Sequence, residues 1–462
     1  MKKSRDLTKG NINKQLAAMT GPMIFGILGI TIFNLVDTYF VGLLGTNELA
    51  ALSFTFPIVI TFSSLTLGVS TGVMAVVSRV AGKKNPEALR TLVFDSMIFS
   101  VLCVILFIGI GFLIMRPVLT LMKAEEELIP IIMTYLTIWM PGLIFVVFPM
   151  VGNGIIRAMG DSLTPGIVMI IAGVVNAVLD PMFIFGIGFF PELGVAGAAI
   201  ATVIGRFVTF SVALYVLIKR EKVLVIQKRK LREMFVTWKE ILAVSIPAGL
   251  SRVILPVGSG IITGMVAVYG LEAVAGFGMA TRIENFMMII ASAMASIIIP
   301  FAGQNLGARK FERIKTLFKN SNIFVFVLQA GLYVIIIITA EFITGLFSDD
   351  PEVIRIGSLY LRIVAAAYGF KGILLICSAF LNVMRRPLIA ALLNLAQMFA
   401  IFVPLAWLGS RLAGLPGIFA ALAISLLLTA AAAWKFTKNR IKSITVLKTP
   451  EVLNEGTDKG HN

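Results

Sequence analysis

The sequence predicts an all-α membrane protein with twelve transmembrane helices, arranged as two six-helix bundles about a pseudo-twofold axis with a central cleft. Three observations predict it. First, 58% of the residues are hydrophobic and only 14% charged, against about 25% charged in a soluble protein. With a mean hydropathy of +0.96, the chain cannot cover itself with polar surface in water. Second, long apolar segments recur, most at or beyond the roughly 20 residues that cross a bilayer. Third, the chain repeats itself 225 positions on: Pro22 as Pro247, Gly45 as Gly270, Gly82 as Gly307, Tyr135-Leu136 as Tyr360-Leu361, Met159 as Met384.

The spans fall at about 15–44, 49–80, 91–115, 128–158, 163–190, 194–217, 237–268, 272–302, 312–346, 353–384, 388–410 and 413–436. They must be helices, because lipid leaves the edge groups of an open sheet unsatisfied. They are long and unbroken, unlike the short alternating strands of a membrane barrel. Six spans per half is an even number, so both halves enter from the same side. The axis relating them then runs along the membrane normal, and a cleft between them is the natural binding site.

The position of the +16 net charge gives the orientation. The N-terminus, the even-numbered loops and the C-terminus carry most of the 40 Lys and Arg, including Lys83, Lys84, Arg309, Lys310, Arg385 and Arg386. The odd-numbered loops carry Arg116, Lys123 and Arg411, and are otherwise acidic, as in Glu125-Glu126-Glu127 and Asp349-Asp350. The positive-inside rule then puts both termini in the cytoplasm. The basic balance records topology and contact with anionic lipid; nucleic acid is not an expected partner. The first bundle is expected over 1–218, a basic linker over 219–236, the second bundle over 237–438 and a cytoplasmic tail over 439–462. The first apolar stretch is too long for a cleavable signal.

Several chemistries find no support. Cys103 and Cys377 lie inside separate spans and read as small buried hydrophobes. The one histidine, His461, lies in the polar tail, so a zinc site is excluded. No nucleophile–base set suggests an enzyme, no cofactor is implied, and nothing resembles a selectivity filter.

Ionisable groups deep in a span cost about 2.5–3.5 kcal/mol each and need a reason to be there. The candidates are Asp37, Asp180, Arg206, Arg252, Arg282, Glu284 and Lys371. Asp95 reads as an acidic residue near the start of span 3, favoured by the helix dipole. Asn176 and Asp180 are four apart and share one helix face. Pro181, and Pro22 in span 1, remove backbone donors and weaken their helices. Adding 225 to Asp37 gives Ile262, and the region matching Asp180 has Gln397 but no carboxylate. The acids therefore belong to one half alone, which favours a coupling role over a fixture of the repeat. Two carboxylates in a dry, confined place repel each other and are poorly solvated, so a proton can load there at moderate pH. A Na⁺ ion could satisfy the same group, with Asn176 and Thr202 completing its oxygen shell.

The stretch LVDTYFVGLLGTNELAA from Leu35 to Ala51 resembles the first-helix signature of the multidrug and toxic compound extrusion (MATE) family. So do VGNGIIR from Val151, NAVLDPMFIFGIG from Asn176, and GFGMATRIENF followed by GQNLGARK in the second half. The resemblance covers nearly the whole chain in order. It implies a cation-coupled antiporter of the inner membrane that exports cationic or amphipathic drugs by alternating access, driven by H⁺ or Na⁺, with one chain sufficient. It is most similar to the DinF-like branch, whose acidic cluster corresponds to Asp37, Asn176, Asp180 and Thr202, with Asn153 nearby and Pro22 as a bend in helix 1. Asn34, Asn153, Met169, Arg282 and Glu284 are the candidates for the substrate cleft. The other family pattern, a Glu in helix 7 and an Asp in helix 10, is not matched in the membrane parts of those spans. The alternative is a flippase for a lipid-linked saccharide, whose pyrophosphate would suit Arg206, Arg252, Arg282 and Lys371.

Overall fold

The computed structural model describes residues 5–122, 124–188 and 190–446, apart from the side chains of 33–35, 46, 49, 255 and 446. Among these residues every regular element is helical, and twelve helices are long and apolar enough to cross a membrane. The first half contains α1 (Ile12–Gly42), α2 (Thr46–Gly82), α3 (Pro86–Leu121), α4 (Ile129–Ala158), α5 (Leu163–Phe185) and α6 (Val195–Arg220). The second contains α7 (Leu231–Ala267), α8 (Leu271–Met287 continuing as Ile289–Gly307), α9 (Phe311–Gly345), α10 (Pro351–Val383), α11 (Pro387–Ala413) and α12 (Leu415–Val446). The repeat reaches into local detail. A single 3₁₀ turn interrupts α4 at Pro141–Leu143 and α10 at Ala365–Ala367, equivalent places in the two halves.

Local chemistry sets the helix starts. The Asn11 side chain accepts from Lys14 N, that of Asn85 from Ala88 N, and that of Asp350 from Glu352 N and Val353 N, each satisfying first-turn donors. Proline stands in the first turn of α3 and α10, where its missing N–H costs nothing.

Small residues bring the bundles together. A Cβ on Gly68 of α2 would stand 2.5 Å from Gly249 Cα of α7, and one on Gly72 would stand 2.1 Å from Ser245 Oγ. Between α2 and α8, a Cβ on Gly82 would meet Gln304 O at 2.1 Å, and one on Gly307 would meet Arg79 O at 2.0 Å. Only glycine permits backbones this close. These contacts lie in the parts of α2, α7 and α8 nearest the basic loops. Toward the acidic side, Gly260 and Gly264 of α7 face open space, and Arg252 and Ser259 are exposed. Exposed polar groups midway along an apolar helix fit a water-filled cleft. The bundles therefore close on the basic side and part on the acidic side.

Two further segments cross the basic-side seam. Residues 5–11 form a strap, with Leu7 fully buried. Leu7 N donates to Gln304 Oε1 (3.0 Å), Asn305 Nδ2 to Leu7 O (3.1 Å) and Arg313 Nη1 to Gly10 O (2.7 Å), all toward α8 and α9. Lys84 Nζ, just after α2, donates to Asp6 Oδ2 at 2.7 Å. The connector before α7 is held by Asp95. Its carboxylate accepts from Arg229 Nη2 (3.2 Å) and Thr237 Oγ1 (2.9 Å), and its carbonyl accepts from Trp238 Nε1 (3.0 Å). This corrects the dipole reading of Asp95. The helix begins at Pro86, so Asp95 lies beyond its first turn, fully buried, and joins the two bundles.

Candidate functional site

Each bundle encloses one polar cluster centred on a repeated tyrosine. In the first bundle α1 carries Asp37, α4 Tyr135, α5 Asn176 and Asp180, and α6 Thr202 and Arg206. Glycines bring these helices into register. A Cβ on Gly26 of α1 would stand 3.1 Å from Gly166 Cα of α5, and one on Gly205 of α6 would stand 3.2 Å from Ala172 O. The four-residue spacing on α5 does what it promised: Asn176 Nδ2 donates to Asp180 Oδ1 at 3.0 Å, with both residues buried. The Asp37 carboxyl lies within hydrogen-bonding reach of the Asp180 carboxyl. Tyr135 adjoins both acids, Arg206 and Thr202.

Three buried oxygens in this cluster have no hydrogen-bond donor among the described residues: Asp37 Oδ1, Asp180 Oδ2 and Asn176 Oδ1. Unpartnered buried acceptors are costly, and adjacent carboxylates add repulsion. A proton or small cation between them relieves both. A cavity of about 30 Å³ lies alongside, lined by Met169, Asn176, Thr202 and Arg206 among others. That is room enough for a water molecule, which needs about 10–15 Å³ of such space.

In the second bundle Glu284 of α8 is already neutralised. Lys371 Nζ of α10 donates to Glu284 Oε1, and Tyr360 Oη donates to Glu284 Oε2 at 2.5 Å. Tyr368 adjoins the same carboxylate. The partner of this acid, Lys371, comes from a helix far along the chain. Arg282, two residues from Glu284, faces elsewhere: it lines a cavity of about 400 Å³ with Phe347, Ser348 and Val353. The two cleft candidates in α8 thus belong to different surroundings.

The remaining candidates divide similarly. Asn153 sits in α4, its Oδ1 buried without a donor among the described residues. Pro22 lies within an unbroken α1, its carbonyl against Gly166. The side chain of Asn34 lies outside the described residues.

One feature escaped sequence reasoning. Arg157 of α4 and Arg252 of α7, from opposite bundles, lie close enough to repel each other. Arg252 is one turn beyond Gly249, so the pair stands beside the seal of the cleft. Arg252 remains solvent-accessible although surrounded by protein, and Arg157 Nε is buried with no acceptor among the described residues. The signal available was Arg157 within the VGNGIIR motif. Near the end of a span, though, an arginine reads as a snorkelling surface charge.

A twofold helical bundle with a cleft and buried ionisable clusters is the build of a secondary transporter. The MatE family model matches residues 22–182 and 247–408. The chain belongs to this family: it is a multi-pass membrane transporter and not an enzyme. It is 35% identical to a FAD transporter of Shewanella oneidensis, over 93% of this chain and 95% of that protein. It is 29% identical to the probable multidrug resistance protein YpnP of Bacillus subtilis, over 94% and 96%. The fold is similar to the crystal structure of the Vibrio cholerae MATE transporter VcmN in its bent form, with a TM-score of 0.88 and 29% identity over 94% of this chain and 98% of that one.

Proposed function

We propose that the protein is an ion-coupled exporter in which Asp37 and Asp180 take up H⁺ or Na⁺ from the acidic side and thereby drive cargo outward. The observation that carries this reading is the set of three unpartnered oxygens on Asp37, Asn176 and Asp180. Loading a cation removes charge from the first bundle, changes what the cleft attracts, and biases α1, which packs on α5 through Pro22, Gly26 and Gly166. Asn176 and Thr202 would complete a Na⁺ shell. The Glu284–Lys371 pair needs no incoming cation, which leaves coupling to the first bundle. Both termini lie in the cytoplasm by the charge distribution, and the membrane is the inner one. One chain contains both bundles, so a monomer suffices.

The cargo enters the cleft from the cytoplasm and is an amphipathic organic compound. A cationic drug and the coupling cation would compete for the same acids. A second reading of the cargo is favoured by the Arg157–Arg252 pair: a phosphate-bearing anion would relieve the repulsion of two arginines from opposite bundles. The relative named as a FAD transporter supports this, since FAD carries a pyrophosphate. A lipid-linked saccharide would draw on the same cations. Proteoliposomes loaded with a lipophilic cationic dye or with FAD separate the readings. Dye efflux that survives Arg252→Gln supports the cationic cargo. FAD efflux abolished by Arg252→Gln supports the anionic one. Transport of neither under any ion gradient contradicts the proposed exporter.

A further inference from the structure

At the basic end of the seam lies a cavity of about 480 Å³ that the transport mechanism does not use. It is bounded by both bundles. Arg79 and Lys83 come from the end of α2, Arg309 from the end of α8, Arg385 from the end of α10 and Arg440 from α12. Glu240 of α7 is the one acid among its described lining residues. That carboxylate is shared, 2.8 Å from Arg385 Nη2 and 3.8 Å from Arg79 Nη2. Arg79 and Arg385 are close enough to repel each other. Arg440 Nε is buried with no acceptor among the described residues.

The positive-inside rule asks only for charge on this side of the membrane, and such charge is best left in water. Here Arg79 is 11% exposed and turned inward. Arg309 and Arg385 occupy left-handed backbone, at φ 57 and 59, which residues with a Cβ rarely adopt. In the first half, the position equivalent to Arg385 is Gly160, at φ 94. Lys84, the repeat equivalent of Arg309, shares that backbone at φ 56, so what sets the cavity apart is its charge: five basic residues line it against one acid.

We propose that this cavity binds a phosphate group and that the bound group holds the basic-side seam closed. Guanidinium forks suit phosphate oxygens. Arg79 is mostly buried and gains most from an anion that water screens poorly, while Arg385 stands exposed at the mouth of the cavity. Arg79 belongs to the first bundle, and Arg385 and Arg440 to the second. One phosphate can contact all three only while the bundles keep their sealed spacing, so binding favours that state over one open to the basic side. The phosphate comes from a lipid headgroup or from a free phosphate; the chemistry of recognition is the same.

The test uses the full-length protein in nanodiscs of neutral phosphatidylcholine, with and without phosphatidylglycerol, and in neutral discs titrated with inorganic phosphate. The readouts are the unfolding temperature and spin-label distances across the seam. Wild type is expected to be stabilised and to show a shorter seam distance with phosphatidylglycerol or with phosphate. Arg440→Gln is expected to weaken the response about tenfold, and Arg440→Lys to keep most of it. Arg116→Gln, on the opposite side, is the control. A response only to phosphatidylglycerol identifies the lipid headgroup as the source, and a response in neutral discs identifies free phosphate. Arg440 has no carboxylate partner among the described ion pairs, so Arg440→Gln breaks none of them. The Arg385→Gln/Arg440→Gln double variant extends the series if it folds. Identical responses in wild type and Arg440→Gln, or no response of wild type to either probe, overturn the proposal.

Discussion

Tyr135 and Tyr360 stand 225 positions apart, and each adjoins the buried acid of its own bundle. Tyr360 donates to Glu284 at 2.5 Å, whereas Tyr135 adjoins Asp37 and Asp180. The scaffold around the two tyrosines is the same, but the charge beside them is not. In the second bundle Lys371 supplies the compensating cation as a side chain. In the first, two carboxylates face each other with oxygens left over. The duplicated fold thus holds one cluster satisfied and the other incomplete, and the incomplete one is where an exchangeable ion has a place.

The satisfied cluster predicts a stability pattern. Lys371→Met leaves Glu284 buried without its partner and is expected to destabilise the protein by about 2–4 kcal/mol, since breaking a buried pair costs more than replacing it. The Glu284→Gln/Lys371→Met double variant is expected to recover most of that loss. Thermal unfolding of the three proteins in detergent checks this. A double variant less stable than Lys371→Met would contradict the pairing.

The incomplete cluster predicts a transport defect at Asn176. Its amide is the donor to Asp180 Oδ1, and a hydrogen bond to a charged group is worth about 1.5–3 kcal/mol. Asn176→Leu is expected to slow gradient-driven efflux about tenfold or more while the protein remains monodisperse. Rates within about twofold of wild type would remove Asn176 from the site.

At the seam, Gly82→Ala and Gly307→Ala each force a Cβ against a backbone carbonyl, at 2.1 and 2.0 Å. Backbone cannot give way as a flexible side chain can, so a cost of about 1–3 kcal/mol falls on the sealed state. Spin-label distances between the basic ends of α2 and α8 are expected to lengthen in both variants. An unchanged distance distribution would show that the seam tolerates the methyl group.

The strap gives a prediction about pH. Partial burial on its own would raise the pKa of Asp6, but hydrogen bonds from Lys84 and Thr8 outweigh it and hold the carboxyl well below the usual range. A carboxyl depressed in the folded state contributes its stability above its unfolded pKa of about 3.9 and loses it as pH falls through the folded value. The strap is therefore expected to stay docked from neutral pH down to about pH 4. A nitroxide on Lys9→Cys is expected to be immobile throughout that range in wild type and mobile in Asp6→Asn. Release of the wild-type strap near pH 6 would assign its anchoring to other groups.

Much of this was legible because the bilayer is a demanding solvent. Apolar length alone marks twelve spans, and the 225-residue register predicts two bundles. Asn176 and Asp180 meet because four residues make about one helical turn. What stayed hidden depended on distance between helices. Nothing local pairs Glu284 with Lys371, 87 positions on. Arg282 and Glu284 are neighbours in sequence but point to different surroundings. Asp95 looked like a dipole effect because its partners, Arg229 and Thr237, come from the connector and α7. Arg157 was disguised by its place near a helix end, where a charge ordinarily needs no explanation.

The central claim is that the Asp37–Asp180 pair takes up the ion that drives export. Efflux from proteoliposomes tests it directly, with a pH gradient and a Na⁺ gradient imposed separately on wild type, Asp37→Asn and Asp180→Asn. The account predicts that one gradient drives wild-type efflux and that either substitution reduces it about a hundredfold, near the upper end of ordinary coupling energies. Gradient-driven efflux at the wild-type rate in folded Asp37→Asn would contradict it.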